Sequence, residues 1–447
     1  MPQTQLSPLL SDLQSLSCVR DVGRVTGVSG GLVRVQGLGA LARLGDRLRL
    51  VRRDAPPLEG EVVQLAEGHL TMLPEDGLAG VSLGDRVVLA GAARIAPCDG
   101  WIGRLIDPMG RPLDGRPLPA GDTPRDLLAP PPPAAQRRGL GPRLGTGMRV
   151  FNTLLPLVQG QRMGLFAGSG VGKTRLLGHL AQHVQADVVV IALIGERGRE
   201  LGEFVHRVLG PDGMARAVIV TATSDQSPLL RRRCAWTAMC VAEHFRDAGR
   251  QVLLLADSIT RFAEAHREIA VAAGEAAALR GYPASTAHTI MALAERAGPG
   301  TQGMGDITAL FTVLVAGSDM EEPVADILRG VLDGHVVLDR KIAERGRFPA
   351  IDLPRSVSRS LPEAADEAEN AAISEARRLL GAHDENEMMI RAGLYAAGSD
   401  PLLDRAIGIW PELDAFLAET ESQGITDSFA RLRLLLRRAG SQTGRSG

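Results

Sequence analysis

The sequence predicts an α/β fold: a parallel sheet with helices on both faces, preceded by a small β-barrel and followed by a helical domain. Three observations predict it. Residues 167–174, AGSGVGKT, form a Gly-rich turn between a strand signal and a helix signal. Apolar strand runs then alternate with helical stretches up to residue 257, which implies parallel strands joined by helical crossovers. On either side the texture changes, to short Val/Leu runs broken by Gly and Asp before residue 95, and to helical periodicity beyond about 360.

Taken in order, residues 4–17 place Leu6, Leu9, Leu10, Leu13 and Leu16 at helical spacing. So short an amphipathic helix is marginal alone and needs a surface, either its own domain or a partner. Residues 20–95 read as the barrel or a sandwich. The first 100 residues contain no Phe, Tyr or Trp, so this domain lacks the stacking platforms of a single-strand nucleic-acid binder. LAPPPPAAQ at 128–136 marks an extended linker. Strands follow at 161–166, 186–195, 217–223 and 251–257. One helix starts near Lys173, and another starts at Ser227-Pro228 and runs toward Gly249. The expected domain limits are 1–19 (helix), 20–95 (barrel), 96–360 (core), 361–437 (helical domain) and 438–447 (disordered tail).

The bulk properties narrow the function. With 447 residues and a formal net charge of -2, nothing asks for nucleic acid or an anionic membrane. No apolar run approaches the roughly 18 residues needed to span a bilayer, and the N-terminus does not read as a secretory signal. Cys18, Cys98, Cys234 and Cys240 show no metal-ligand spacing and read as reduced cytosolic thiols. Only Lys173 and Lys341 are lysine among 50 basic residues, and one of them stands inside GSGVGKT. A compact ammonium differs from an arginine fork as a phosphate ligand.

The chemistry follows from the loop. Gly168, Ser169, Gly170, Val171 and Gly172 let backbone N–H groups turn inward around phosphates, Lys173 reaches the β/γ oxygens, and Thr174 ligates magnesium. Asp257 ends a strand, where the magnesium-associated carboxylate of such ATPases belongs; alone it would read as a helix cap. Glu196 directly follows the strand at 186–195. Strand carboxyl ends share one rim in a parallel sheet, so Lys173, Glu196 and Asp257 are expected together, with Glu196 polarising water or merely capping a helix.

GLFAGSGVGKT, IALIGERGRE, ATSDQSPLLRRR, VLLLADSITRFAEAHREI, GEAAALRGYP, FTVLVAGSDMEEPVADILRGVLDGHVVLDR and FPAIDLPRSVSRSL resemble the ATPase of bacterial type III protein export. The likeness is closer to the flagellum-specific ATPase than to the virulence-secretion ATPases, and both are similar to catalytic subunits of rotary ATP synthases. It spans roughly residues 20–435. The resemblance implies a RecA-like P-loop core, Mg-ATP as ligand, and functional roles for Lys173, Thr174, Glu196, Arg197 and Asp257. It assigns Phe348 to adenine stacking, where plain core packing is the alternative. It sends Arg359, otherwise one surface arginine among many, into a neighbouring subunit's site as an arginine finger. One chain carrying both the water-activating acid and the finger serves itself only as a closed homohexamer.

The implied function is ATP hydrolysis that energises export, releasing or unfolding substrates and chaperones at a membrane gate. The implied partners are a stator-like protein at the N-terminal helix, a central-stalk-like protein in the ring channel, the export gate and substrate–chaperone complexes. The protein would then be cytoplasmic, peripheral to the membrane through those partners, and would bind no nucleic acid. Two features depart from the family pattern. From the proline of RGYP onward the chain reads Pro283-Ala284-Ser285-Thr286-Ala287-His288-Thr289, which lacks the usual Phe and Leu-Pro and bears on the stalk contact. The helical domain lacks the acidic run by which synthase subunits engage a rotor, which disfavours a rotary synthase. A Rho-type nucleic-acid motor is disfavoured by the aromatic-free barrel and near-neutral charge.

Overall fold

The computed structural model describes residues 20–315 and 321–442 and holds two compact units. The expected docking helix over 1–19 lies outside the described residues.

The first unit is built on a closed barrel of β1 (Val22–Ser29), β2 (Leu32–Gln36), β3 (Arg47–Val51), β4 (Leu58–Ala66), β5 (His69–Pro74) and β6 (Arg86–Gly91), ordered β1-β2-β5-β4-β3-β6. Inward–outward alternation, interrupted by register shifts, builds it. In β2, Val33 and Val35 face inward while Arg34 and Gln36 face solvent; in β3, Leu48 and Leu50 are buried on either side of the exposed Arg49. The interior is aliphatic throughout, with Leu38, Leu70, Met72 and Val87 among its members.

The second unit is a sheet of β7 (Arg104–Ile106), β8 (Arg162–Ala167), β9 (Val188–Glu196), β10 (Ala217–Thr223), β11 (Val252–Asp257), β12 (Asp306–Leu314), β13 (Gly334–Leu338) and β14 (Ile351–Ser358). The order is β14-β13-β8-β12-β11-β9-β10-β7, and every pair on this path is parallel except β13–β14. β9 and β11 are unbroken apolar runs, buried from Val188 to Gly195 and along all of Val252–Asp257. That continuity is what covering both faces of a parallel sheet demands.

The antiparallel return of β14 matters for function. Ala167 pairs with Leu338 and Leu338 with Ile351 at one end, whereas Gly334 pairs with Ser358 at the other. Phe348 and Arg359, eleven positions apart, therefore lie at opposite ends of the strands.

The C-terminal helices are α6 (Glu367–Glu385), α7 (Glu387–Arg391), α8 (Pro401–Phe416) and α9 (Ile425–Gln442), after α1 (Lys173–His183), α2 (Pro228–Asp247), α3 (Ile259–Ala272), α4 (Ser285–Arg296) and α5 (Pro323–Val331) in the core. Asp366 and Glu369 form a capping box that starts α6, and Asp400 accepts from the amides of Leu402 and Leu403 to start α8. Ala372, Ile373, Ala376, Leu379 and Leu380 form the buried stripe of α6, packed with Leu403, Ile409, Leu413 and Phe416 of α8. The fold class is the expected one. One local correction is needed: α9 continues through Gln442, so residues 438–442 are helical and not a disordered tail.

Candidate active site

β8 carries the chain into the loop at 168–172, and α1 begins at Lys173. Gly172 stands at φ +85, a left-handed conformation that a Cβ disfavours, and it turns the loop into the helix. A Cβ there would also approach Phe348 Cδ1 to 2.9 Å. The Phe348 ring, 44% exposed, thus lies against the last glycine of the loop. The amide-rich start of α1 faces a cleft of about 1040 Å³ whose lining includes Lys173, Thr174, Glu196, Arg197, Arg261 and Arg280.

Two carboxylates converge on Lys173. Asp257, at the end of β11 and only 4% exposed, makes a tight ion pair with Lys173 Nζ. Its Oδ1 also accepts a hydrogen bond from Thr312 Oγ1 at 2.6 Å. Glu196 Oε1 lies 3.8 Å from Lys173 Nζ. Glu196 owes its position to a bulge: the β9–β10 register shifts between Ile194 and Glu196, with Gly195 at φ +70. The extra residue re-aims the acid at the strand end. Burial, then the nearby Asp257 carboxylate, push the Glu196 carboxyl up to about 7 against the opposing pull of Lys173. A carboxyl poised near neutrality can hold or release a proton at working pH.

Arg197 follows at the start of a short helix, Gly198–Glu203; its side chain is exposed and pairs with Glu200 at 3.5 Å. Arg359 is not in this cleft. Its amide donates to the Asp333 carbonyl at 3.0 Å and its Nη2 to the Arg329 carbonyl at 3.1 Å, at the far end of the sheet.

Sequence reasoning missed Thr312, Arg261, Arg280 and Tyr282. Thr312 is one of two threonines in the buried strand β12, and its role is visible only once Asp257 is known to face it. Arg261 pairs with Glu264 at 2.9 Å, and Arg280 Nη1 donates to the Glu321 carbonyl at 2.9 Å. Among the described residues no group of three or more His, Cys, Asp or Glu is arranged to hold a metal ion. Also among them, no helix is long and apolar enough to cross a membrane.

Residues 147–358 match the ATP synthase alpha/beta family, nucleotide-binding domain, and residues 365–433 match the T3SS EscN ATPase C-terminal domain. The flagellum-specific ATP synthase of Caulobacter vibrioides is 44% identical over 438 residues, covering 96% of this chain and 98% of the relative. The assembled ATPase EscN from the enteropathogenic E. coli type III secretion system superposes with a TM-score of 0.84 at 35% identity, covering 92% of this chain and 99% of EscN. EscN in complex with its central stalk EscO gives 0.83 at the same identity and coverage. The phosphate loop, the paired carboxylates behind it and this near full-length likeness agree: the chain belongs to the flagellum-specific ATP synthase family, the flagellar and type III export branch of the ATP synthase alpha/beta ATPases, and it is an ATPase.

Proposed function

We propose that this ATPase works as a homohexameric ring that hydrolyses Mg-ATP at subunit interfaces to energise flagellar protein export, releasing or unfolding substrates and their chaperones at a membrane gate. The observation that carries the reading is the division of labour along β14. Phe348 lies beside the phosphate loop and Arg359 at the other end of the strands, away from its own loop, which supports its use by a neighbour's site.

Within one site, the loop amides and Lys173 would hold the β- and γ-phosphates, and Phe348 would stack on adenine. Thr174 and Asp257 are hard oxygen donors beside that position and suit magnesium, which when bound would neutralise charge on the phosphate oxygens. Glu196 would orient the attacking water and take up its proton. The water oxygen bonds to the γ-phosphorus as the bridge to the β-phosphate breaks, leaving ADP and phosphate. Arg197 would support the same rim, and Arg359 of the next subunit would stabilise charge on the transferred group.

EscN has been solved with a central stalk; a stalk-like partner in this ring's channel, a stator-like partner at the N-terminal helix, and a cytoplasmic site peripheral to the membrane complete the proposal. Glu196→Gln tests the chemistry. Turnover should fall by roughly 10²–10⁴-fold while ATP affinity stays within a few-fold, because the amide keeps the shape and loses the base. A variant that retained a tenth of wild-type turnover would remove Glu196 from the reaction.

A further inference from the structure

The segment leading into Phe348 is tied to the helical domain by an ion pair. Arg347 is almost wholly buried, with its side chain 8% exposed, and its Nε lies 2.9 Å from Asp414 Oδ1 in the last turn of α8. The same guanidinium reaches forward: Nη1 donates to the Pro349 carbonyl at 3.0 Å and Nη2 to the Ile351 carbonyl at 2.7 Å. One planar fork therefore ties the backbone just after Phe348 to the residue just before it and sets both against one carboxylate as an ion pair. Two residues earlier, Arg345 pairs with Glu387 of α7 at 3.2 Å. Both members of that pair are a third or more exposed, so solvent screens it more than the less exposed Arg347–Asp414 pair. An acid in the last turn of a helix is opposed by the helix dipole; here Arg347 offsets that cost. α8 itself is fixed by the burial of Ile409, Leu413 and Phe416 around Asp414.

We infer that Asp414, acting through Arg347, is a positioning residue for the Phe348 ring, so that the helical domain sets nucleotide affinity. The inference rests on the reading of Phe348 as the adenine platform. Moving α8 would move the carboxylate, loosen the fork around 347–351 and shift the ring off the flank of Gly172. The phosphate subsite would be untouched, because neither Arg347 nor Asp414 lines the phosphate cleft.

The test uses the full chain and separates base from phosphate recognition. Inhibition constants for ADP and for pyrophosphate, with KM and kcat for ATP, are measured for Asp414→Asn, Asp414→Glu, Arg347→Gln and Phe348→Ala. Asp414→Asn and Arg347→Gln should raise ATP KM and the ADP constant by roughly three- to tenfold, with kcat within about twofold and the pyrophosphate constant unchanged. Asp414→Glu should restore most of the affinity. Adding Asp414→Asn to Phe348→Ala should cost little more than Phe348→Ala alone, since both act through one ring. Equal losses for ADP and pyrophosphate, a collapse of kcat, or full additivity with Phe348→Ala would overturn the positioning role. If Phe348→Ala left the ADP constant unchanged, the adenine platform itself would fail, and the inference with it.

Discussion

If Arg359 serves a neighbour's site as proposed, replacing it with Ala should remove turnover while leaving the subunit intact, because within its own subunit it lies too far from the phosphate loop to act there. The Arg359 amide is bonded to Asp333, whose own amide donates to the Arg162 carbonyl at 2.8 Å, so Arg359 is tied to the first residue of β8. The phosphate loop hangs from the last residue of that strand, Ala167. Five residue steps at about 3.3 Å put roughly 16 Å between them, farther than an arginine side chain stretches. The local cost of Arg359→Ala is one exposed hydrogen bond to Arg329, so stability should change by less than about 0.5 kcal/mol. Loss of an arginine finger costs roughly 10³–10⁵ in rate, or about 4–7 kcal/mol of transition-state stabilisation.

Glu196→Gln subunits lack the acid but keep the finger. Mixed one to one at random in a ring, they should create about one quarter of interfaces with both groups intact, and about that fraction of wild-type turnover. The assay is ATPase rate per subunit over a wide range of protein concentration with magnesium, each variant alone and then mixed. Wild-type rate should climb steeply as rings assemble. No recovery on mixing, or an Arg359→Ala variant that retains a tenth of the wild-type rate, would refute the trans arrangement.

Two further outcomes are expected. Glu196 has its pKa raised on folding, from the ordinary range near 4.5 to about 7, so the folded state holds a proton that the unfolded state releases first. Its contribution is therefore fully present below about pH 4.5 and lost as pH rises through 7, on the order of 3 kcal/mol across that window. The melting temperature of the wild type relative to Glu196→Gln should fall over this range without added nucleotide, and a flat difference would contradict the shift. In the core, Arg296 Nε and Nη2 bond Glu243 at 2.9 and 2.7 Å, with side chains 4% and 2% exposed. Glu243→Gln should cost about 3–5 kcal/mol in thermal unfolding, whereas replacing both residues by apolar ones should recover most of it; a single-mutant loss under about 1 kcal/mol would refute this.

Much of this was legible in the chain because the signals are local. The strands at 217–223 and 251–257, the helix start at Pro228 and the loop at 167–174 each depend on neighbours within a few positions: an unbroken apolar run, a proline at the first helical turn, glycines before a lysine. The rim shared by Lys173, Glu196 and Asp257 also follows from sequence, since parallel strands bring their carboxyl ends to one edge. Tertiary structure decided what depends on register and on distant contacts. The bulge at Gly195 that aims Glu196, the Thr312 hydroxyl against Asp257, and the Arg347–Asp414 tie join residues that no periodicity links. The end of the sheet at which Phe348 and Arg359 each emerge was set by β14 running antiparallel to β13. A strand's direction is chosen by how it pairs, and its residues alone carry no record of it.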